Sequence, residues 1–274
     1  MAFALIFTCL ISVLPAEQIL VGTEQLGGLP EVLVGDARAE GDFKTAHLPG
    51  AAHLDVESLS ETRRGVTGLL RSPRELRQRI AEAGISPAKH VVVYSGHFQE
   101  AEVKRATRLF WILEAMGFER VSLLNGGLAK WQAEGRPVEQ GASTIAAIDA
   151  GEIARDLDEA RFAERSDVIK LMDTGAGTLI DFRVADEFSG KSKKEFVGVS
   201  GHITGAQSCP AGGFHEGPYF EFKTGDALRE VLGTVDVKND LPVITYCNTG
   251  RDATIGYVGL RLSGHDAVQV YDLS

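Results

Sequence analysis

Short apolar runs rich in valine, isoleucine and leucine recur along the chain and alternate with longer amphipathic stretches. The runs at 91–94 and 243–246 lack the apolar–polar alternation of a half-exposed strand, which is typical of parallel strands buried on both faces. Between such runs, the spacing of apolar residues predicts helices at 73–83, 100–116 and 152–165. Strands that alternate with helices in this way indicate α/β units with right-handed crossovers.

Four blocks of the first half return in the second half in the same order, with offsets of 145 to 155 residues. They are centred on Asp36, His47, Ser95 and Gly117 in the first half, and on Asp181, His202, Cys247 and Gly264 in the second. Four matches in one order indicate a tandem duplication. We therefore predict an α/β fold with two tandem domains, each a mainly parallel sheet flanked by helices.

The duplication predicts the domain organisation. We place the first domain at 17–136, a linker rich in small and polar residues at 137–151, and the second domain at 152–274. The first copy continues past its last strand through residues 125–135, whereas the second stops at Ser274, where the matching segment would begin. The second domain is therefore expected to be truncated at its carboxyl end, with a naturally short chain and a fragment as open alternatives.

The amino terminus begins with an uncharged apolar run at 2–14, followed by Pro15-Ala16. This run is shorter than the roughly 20 residues that a membrane-spanning helix needs, and it has the length of a signal-peptide core. A basic segment before it is missing, so a buried strand or helix is the alternative. We predict a signal peptide at 1–16 and a periplasmic or secreted protein that leaves the membrane once the leader is removed. A cytoplasmic location is the alternative.

Composition narrows the classes of function. The 274 residues are 44% hydrophobic and 24% charged, which excludes a disordered, collagenous or multi-span membrane chain. The formal net charge of -10 repels phosphate backbones, so nucleic acid is not an expected partner, and an anionic substrate would need a local positive site. Three cysteines are too few for a disulfide scaffold, and no Cys/His spacing predicts a metal site.

The strongest chemical signal is a cysteine that ends an apolar run and precedes a short polar loop and a helix. Cys247 follows the run at 243–246, and ligands bind at the carboxyl ends of parallel strands. Loop amides and a helix N-terminus form a cradle for an anion and lower the pKa of a thiol. Gly250 permits unusual backbone angles, and Arg251 adds a cation. The predicted site comprises the nucleophile Cys247 and the substrate-binding residues Asn248, Thr249, Gly250, Arg251, Asp252 and Arg183.

Two other interpretations of Cys247 are less favoured by the sequence. An inert, packed cysteine is less favoured because Cys247 ends the apolar run instead of lying within it. A cysteine phosphatase has the pattern Cys-x5-Arg, which would require arginine at position 253, where this chain has Ala253.

Taken together, these motifs resemble the tandem-domain rhodanese, or thiosulfate sulfurtransferase, family. The resemblance rests on both Asp-x-Arg strands, both His-[Leu/Ile]-x-Gly-Ala segments, the Tyr-Cys-Asn-Thr-Gly loop and the Leu-Asn-Gly-Gly-Leu segment, and it covers roughly residues 17–274. It implies that Cys247 takes the outer sulfur of thiosulfate as a persulfide and passes it to cyanide or another thiophile, without a metal or organic cofactor. It also implies an inactive first domain, since Ser95 stands in the place of Cys247 and an alcohol does not carry a persulfide.

Two departures from the family pattern bear on the donor. Glu187 stands where thiosulfate-using members tend to have a second arginine, and Asp252 stands where the family often has a neutral residue. Both carboxylates oppose an anionic donor. We predict a monomeric sulfurtransferase that uses thiosulfate or a related small-molecule donor and a thiophilic acceptor. The alternative is a non-enzymatic sulfur-carrier or binding module. Mercaptopyruvate is less favoured because the loop is not of the Cys-Gly-Ser-Gly type.

Residues that recur in both copies are expected to have structural roles. Asp36 and Arg38 match Asp181 and Arg183, which predicts a structural ion pair in each domain, with a supporting site role for Arg183. The paired histidines His47 and His202 are expected to form turns, and Cys209 is expected to be a small packed side chain.

Overall fold

The computed structural model describes residues 19–238 and 241–272. The predicted signal peptide at 1–16 and the final residues 273–274 lie outside the described part of the chain. Within the described part, no helix combines the length and the apolar character needed to cross a membrane.

The described residues form strands, α-helices and short 3-10 turns that alternate along the chain. The strands are β1 (Leu20–Val21), β2 (Val32–Asp36), β3 (Ala52–His53), β4 (Ser60–Arg63), β5 (Val66–Leu70), β6 (His90–Tyr94), β7 (Val121–Leu124), β8 (Phe162–Ala163), β9 (Thr178–Asp181), β10 (Gln207–Ser208), β11 (His215–Glu216), β12 (Glu221–Phe222), β13 (Val243–Tyr246) and β14 (Val268–Tyr271). The helices are α1 (Glu40–Thr45), α2 (Pro73–Glu82), α3 (Glu100–Ala115), α4 (Gly127–Ala133), α5 (Arg165–Thr174), α6 (Ala185–Phe188), α7 (Gly225–Leu232) and α8 (Arg251–Leu262).

Each half of the chain contains a five-stranded parallel sheet with the same strand order. The first sheet is ordered β1-β7-β6-β2-β3, and the second is ordered β8-β14-β13-β9-β10. Strand for strand, the second order repeats the first. This confirms the duplication and the predicted α/β fold, with a separate antiparallel hairpin in each half (β4–β5 and β11–β12).

The central strand of each sheet, β6 or β13, leads directly into Ser95 or Cys247. Val91, Val92 and Val93 of β6 are fully buried between helices, and β13 is buried along its whole length. Such runs are apolar at successive positions because both faces of a parallel sheet are covered. Ser95 follows β6 and Cys247 follows β13, so both lie at the carboxyl edge of their sheets.

Two predicted helices are confirmed to within one residue. Helix α2 is preceded by Ser72, whose hydroxyl oxygen accepts from the Glu75 N–H while the Glu75 carboxylate accepts from the Ser72 N–H. This capping box satisfies two donors that the first turn would leave unpaired. Helix α3 packs against α8 of the other half, and this contact forms the centre of the interface between the two domains.

The predicted helix at 152–165 is wrong. The Asp158 side chain accepts a hydrogen bond from the Ala160 N–H at 2.9 Å, a local bond that competes with helix formation. Farther along, Phe162–Ala163 pairs with β14 as an edge strand. The side-chain bond and the strand pairing override helix propensity, and the helix α5 begins only at Arg165.

The predicted linker, 137–151, lies along the first domain. Glu139 forms an antiparallel bridge with His47, and Ile148 N donates to the carbonyl of Ala81 at 3.0 Å. The segment therefore packs on the domain that precedes it. The domain boundaries themselves stay predictions.

Candidate active site

Cys247 lies in the position that the sequence predicts, at the carboxyl end of the central strand β13. Its side chain is buried, and the backbone N–H groups of Thr249, Asp252 and Ala253 donate hydrogen bonds to its sulfur. Gly250 adopts a left-handed conformation (φ 70°) immediately before α8, which brings the chain round Sγ. The loop and the helix N-terminus thus form the predicted cradle for a sulfur anion.

The protonation of Cys247 differs from the sequence-based expectation. The cradle amides lower the pKa of the thiol, but burial and the Asp252 carboxylate outweigh them and raise this pKa to about 11. Desolvation penalises the thiolate more than three neutral donors stabilise it. The resting cysteine is therefore held as a thiol at neutral pH.

A cavity of about 370 Å³ opens beside Cys247. Its lining includes the apolar surfaces of Val199, Tyr246 and Tyr271 and the polar groups of Arg183, Asn248 and His202. The cavity therefore combines a buried sulfur nucleophile with a cation and an amide.

Arg183 is bound mainly to its own strand. Its guanidinium forms a bidentate ion pair with Asp181 and donates to the carbonyl of Gly201 at 2.8 Å. Arg38 and Asp36 repeat this arrangement in the first domain, which confirms the predicted pair of structural ion pairs. Nη1 of Arg183 lies 3.4 Å from the amide oxygen of Asn248, so one edge of the guanidinium also reaches the cavity.

Asn248 connects the cavity to a buried carboxylate. Its Nδ2 donates to Oε2 of Glu187 at 2.6 Å, and Glu187 is only 5% exposed. Lys194 lies 3.4 Å from the other Glu187 oxygen and balances its charge. Glu187, which stands where thiosulfate-using members of the family tend to have an arginine, is therefore an ion-paired group that orients Asn248.

The remaining predicted site residues face the first domain. The Thr249 side chain packs on Gly68, Arg251 pairs with Glu57, and Asp252 pairs with Lys104. Gly250 lies against Arg108 and Asp272 so closely that any side chain at this position would collide with them. Within the described part of the chain, Arg183 and Asn248 are the predicted substrate-binding residues that line the cavity. Direct donor contacts by Thr249, Gly250, Arg251 and Asp252 stay predictions.

The matching loop of the first domain is occupied by its own side chains. Ser95 is fully buried and donates to the carbonyl of Glu102 at 2.8 Å. The Glu102 carboxylate accepts from the Phe98 N–H at 2.8 Å and would be displaced by a side chain at Gly96. An internal carboxylate thus lies beside Ser95 in the first domain, and the absence of activity in this domain stays a prediction.

One segment that lines the cavity, residues 189–201, was not predicted from the sequence. Three residues separate Phe43 from His47, but thirteen separate Phe188 from His202. The histidine of each pair stacks on its phenylalanine, with ring centroids 3.9 and 3.8 Å apart, which agrees with a turn-forming role. The inserted segment, residues 189–201, supplies Val199 to the cavity and Lys194 to Glu187. The offset between the two copies rises from 145 residues at Asp181 to 155 residues at His202, and this change indicates the insertion in the sequence.

The second buried thiol, Cys209, lies outside the cavity lining. Cys209 is 1% exposed and contacts Thr234, in agreement with the predicted packed side chain. Across the described residues, no three His, Cys, Asp or Glu side chains are grouped to hold a metal ion. A mechanism without metal or organic cofactor stays a prediction.

Comparison with known proteins places both halves in one family. The model of the rhodanese-like domain matches residues 24–134 and again residues 164–274. The 3-mercaptopyruvate sulfurtransferase of Escherichia coli strain K12 is 29% identical over 255 residues, which cover 89% of this chain and 87% of the relative. The thiosulfate sulfurtransferase of Cricetulus griseus is also 29% identical, over 240 residues that cover 87% of this chain and 79% of the relative.

Solved structures agree with the sequence comparison. The crystal structure of the Escherichia coli 3-mercaptopyruvate sulfotransferase matches with a TM-score of 0.79 at 28% identity and covers 93% of this chain and 98% of that chain. The Tum1 protein from Saccharomyces cerevisiae has the same fold, with a TM-score of 0.80 at 19% identity over 95% of this chain and 94% of that chain. With both halves matched by the same domain model, the chain belongs to the rhodanese family and contains two rhodanese-like domains in tandem.

Proposed function

We propose that this chain, a sulfurtransferase of the rhodanese fold, carries sulfur as a persulfide on Cys247 and transfers it to a thiophilic acceptor such as cyanide or a small thiol. The observation that supports this most is the setting of Cys247. Three backbone N–H groups hydrogen-bond to its sulfur, and a cavity of about 370 Å³ lies beside it. Preorganised donors of this kind stabilise negative charge where it develops during the reaction.

We propose 3-mercaptopyruvate as the preferred donor, ahead of thiosulfate. This proposal replaces the sequence-based preference for thiosulfate, in which mercaptopyruvate was less favoured on the type of the loop alone. The cationic groups around the loop are already paired, Arg183 with Asp181, Lys194 with Glu187 and Arg251 with Glu57. A set of paired charges compensates one negative charge on a donor more readily than the two charges of thiosulfate. The relatives named above include both kinds of enzyme, so the electrostatic argument carries this choice.

The reaction balances in two steps. Cys247 first loses its thiol proton to solvent, and the small thiolate fraction so formed attacks the donor sulfur. The carbon–sulfur bond breaks, and the electron pair goes to carbon, which takes the donor's thiol proton and leaves as pyruvate. The acceptor then attacks the outer sulfur of the persulfide, and the sulfur–sulfur bond breaks with its electron pair on Sγ of Cys247. The N–H groups of Thr249, Asp252 and Ala253 stabilise the sulfur anion in both steps.

A donor panel with intact-mass spectrometry tests the proposal. Incubation with 3-mercaptopyruvate should add about 32 Da to the wild type and to Cys209→Ser, and nothing to Cys247→Ser. Steady-state assays with cyanide should then give a higher kcat/KM for 3-mercaptopyruvate than for thiosulfate. A higher kcat/KM for thiosulfate would overturn the choice of donor and leave the persulfide mechanism in place.

Two other outcomes would overturn the enzymatic proposal. A persulfide that forms on Cys247 but does not turn over with any thiophile indicates a sulfur carrier. No mass increase with any sulfur donor indicates a binding module.

A further inference from the structure

The loop that holds Cys247 lies between two environments. The Cys247 sulfur and Asn248 face the cavity, whereas Gly250, Arg251 and Asp252 contact the first domain. The domain without a reactive cysteine therefore supplies the surface on which the reactive loop is built.

One of these contacts acts on a charge beside the sulfur. The Asp252 N–H donates to the Cys247 sulfur, and the Asp252 carboxylate forms an ion pair with Lys104 of helix α3, with Nζ and Oδ1 2.5 Å apart. The Lys104 side chain is 32% exposed and the Asp252 side chain is 26% exposed. Partial burial reduces the screening of this pair by solvent.

We propose that Lys104 is a positioning residue for sulfur transfer, which holds the Asp252 carboxylate and compensates its charge so that the Cys247 sulfur can carry an anion. The inference rests on the proposed function, because it concerns the charge that develops on Sγ in that reaction. Lys104 acts through Asp252 and does not touch the donor. The first domain thereby takes part in the chemistry of the second.

The Asp252 carboxylate affects both the helix and the sulfur. A carboxylate in the first turn of a helix stabilises the helix through the macrodipole, but here it belongs to the same residue whose backbone N–H donates to the sulfur. Its negative charge opposes the thiolate and raises the pKa of Cys247. A cation held against this carboxylate reduces that opposition while the carboxylate remains in the helix.

The other charged groups that face the loop come in pairs. They are Arg251 with Glu57, Arg108 with Asp272, Arg183 with Asp181 and Lys194 with Glu187. The titratable side chains of the cavity wall are those of Tyr246, Tyr271 and His202. His215 lies close enough to Lys104 that, besides burial, the lysine charge lowers the pKa of the imidazole. Lys104 is distinguished from these groups because its partner is the side chain of Asp252, the residue whose backbone N–H donates to the sulfur.

A double-mutant cycle on the pH dependence of Cys247 alkylation tests the proposal. The rate of carboxamidomethylation by iodoacetamide is followed on the Cys247 peptide by mass spectrometry across pH 7 to 10 in wild type, Lys104→Met, Asp252→Asn and the double variant. This range lies below the midpoint, where the rate is proportional to the thiolate fraction, so the shift in midpoint between two variants is read from the ratio of their rates at equal pH. Lys104→Met should raise the midpoint by about 0.5–1 pH unit, and Asp252→Asn should lower it. In the Asp252→Asn background the Lys104→Met shift should fall to less than about one third of its value in the wild type.

Matched controls separate this role from general stabilisation of the domain interface. Lys130→Met removes another ion pair between the domains, Lys130 with Glu221 at 2.5 Å, and should leave the midpoint unchanged. Lys104→Arg keeps the charge and should retain the wild-type midpoint. An unshifted midpoint in Lys104→Met, or the same shift in both Asp252 backgrounds, would overturn the inference.

The readout does not depend on sulfur transfer, because alkylation needs only the thiolate. If the wild type fails to form a persulfide, the proposed function fails while the alkylation cycle still tests Lys104. If the wild type does form it, discharge of the persulfide by cyanide should slow in Lys104→Met with an unchanged KM for the donor.

Discussion

Ser95 and Cys247 end equivalent strands in the two halves, and their surroundings differ as much as their side chains do. Amides surround the Cys247 sulfur, and a cavity opens beside it. Ser95 instead donates to the Glu102 carbonyl, while the Glu102 carboxylate accepts from the backbone N–H of Phe98 in the same loop. The loop of the first domain therefore has a buried alcohol where the second has a thiol, and an internal carboxylate lies beside it.

We expect Cys247→Ser to abolish sulfur transfer and Ser95→Ala to leave kcat and KM within about twofold of the wild type. An alcohol at neutral pH has no accessible anion and does not carry a persulfide, whereas Ser95 only bonds to backbone. Steady-state transfer to cyanide measures both effects. Equal losses in the two variants would contradict a single site.

A stricter form of this prediction uses Ser95→Cys in the Cys247→Ser background. Because Ser95 is fully buried beside Glu102, the new thiol should gain no sulfur from any donor. Restored persulfide formation, seen by intact mass, would show that the first loop is still a working cradle.

At the scale of elements, the inserted segment at 189–201 distinguishes the second domain from the first. It follows helix α6 and contributes Val199 to the cavity. Its Lys194 also balances the buried Glu187, which accepts from Asn248. A lengthened loop at the carboxyl edge of a parallel sheet is a common way to add specificity to a conserved scaffold.

Lys194→Gln should raise the KM for an anionic donor about two- to fivefold with little change in kcat, which is the size expected for a half-exposed ion pair. The reason is that Glu187 then keeps an uncompensated charge next to Asn248. The matched control is Lys191→Gln, which removes an exposed lysine of the same segment, 3.8 Å from Asp186, and should leave KM unchanged. A fall in kcat without a change in KM would argue against a role in donor binding.

At the scale of the whole molecule, the two domains meet through an interface that contains several buried polar groups. Arg108 and Asp272 form an ion pair in which each side chain is at most 2% exposed, and Thr107 bonds to Thr254 across the same contact. Such groups are costly to bury and are stable only when they are paired. The interface is therefore specific, and the loop that follows Cys247 lies on it.

Two histidines make this interface sensitive to acid. His97 is 3% exposed and bonds to the Tyr219 carbonyl, and burial lowers its pKa to about 4. Burial, together with His97 and nearby lysines, lowers the pKa of His215 to about 3. Both histidines are therefore neutral in the folded protein under conditions in which the unfolded chain takes up protons near its ordinary pKa of about 6.5.

The free energy of unfolding should be fully retained above about pH 6.5 and should fall as the pH drops from there towards 4. Below 6.5 the unfolded chain binds protons that the folded chain does not, which costs up to about 1.4 kcal/mol per histidine for each pH unit. His97→Asn should reduce the slope of Tm against pH, and asparagine tolerates the positive φ of 59° at this position.

A substitution of the same kind elsewhere serves as the control for this measurement. His53→Asn removes a half-buried histidine away from the domain interface and should keep the wild-type slope. An unchanged slope in His97→Asn would show that acid acts on other groups.

Much of the fold was predictable because the apolar patterns that specify it are short-range and occur in both halves of the chain. The apolar runs at 91–94 and 243–246 require burial on both faces, and repetition of the blocks separates a real pattern from chance. The helix at 152–165 was mispredicted because strand pairing with β14 is a long-range contact that local propensity does not contain.

By itself, the sequence determined the family, the duplicated α/β fold and the position of Cys247 at the mouth of a helix, because these depend on short-range spacing and composition. The tertiary structure decided which loop residues face the cavity and which face the first domain. It placed Arg251 against Glu57 and Asp252 against Lys104, across 194 positions in the first case. Pairing of this kind depends on how two domains pack. The charge around the sulfur is therefore a property of the assembled molecule, and no window of its sequence contains it.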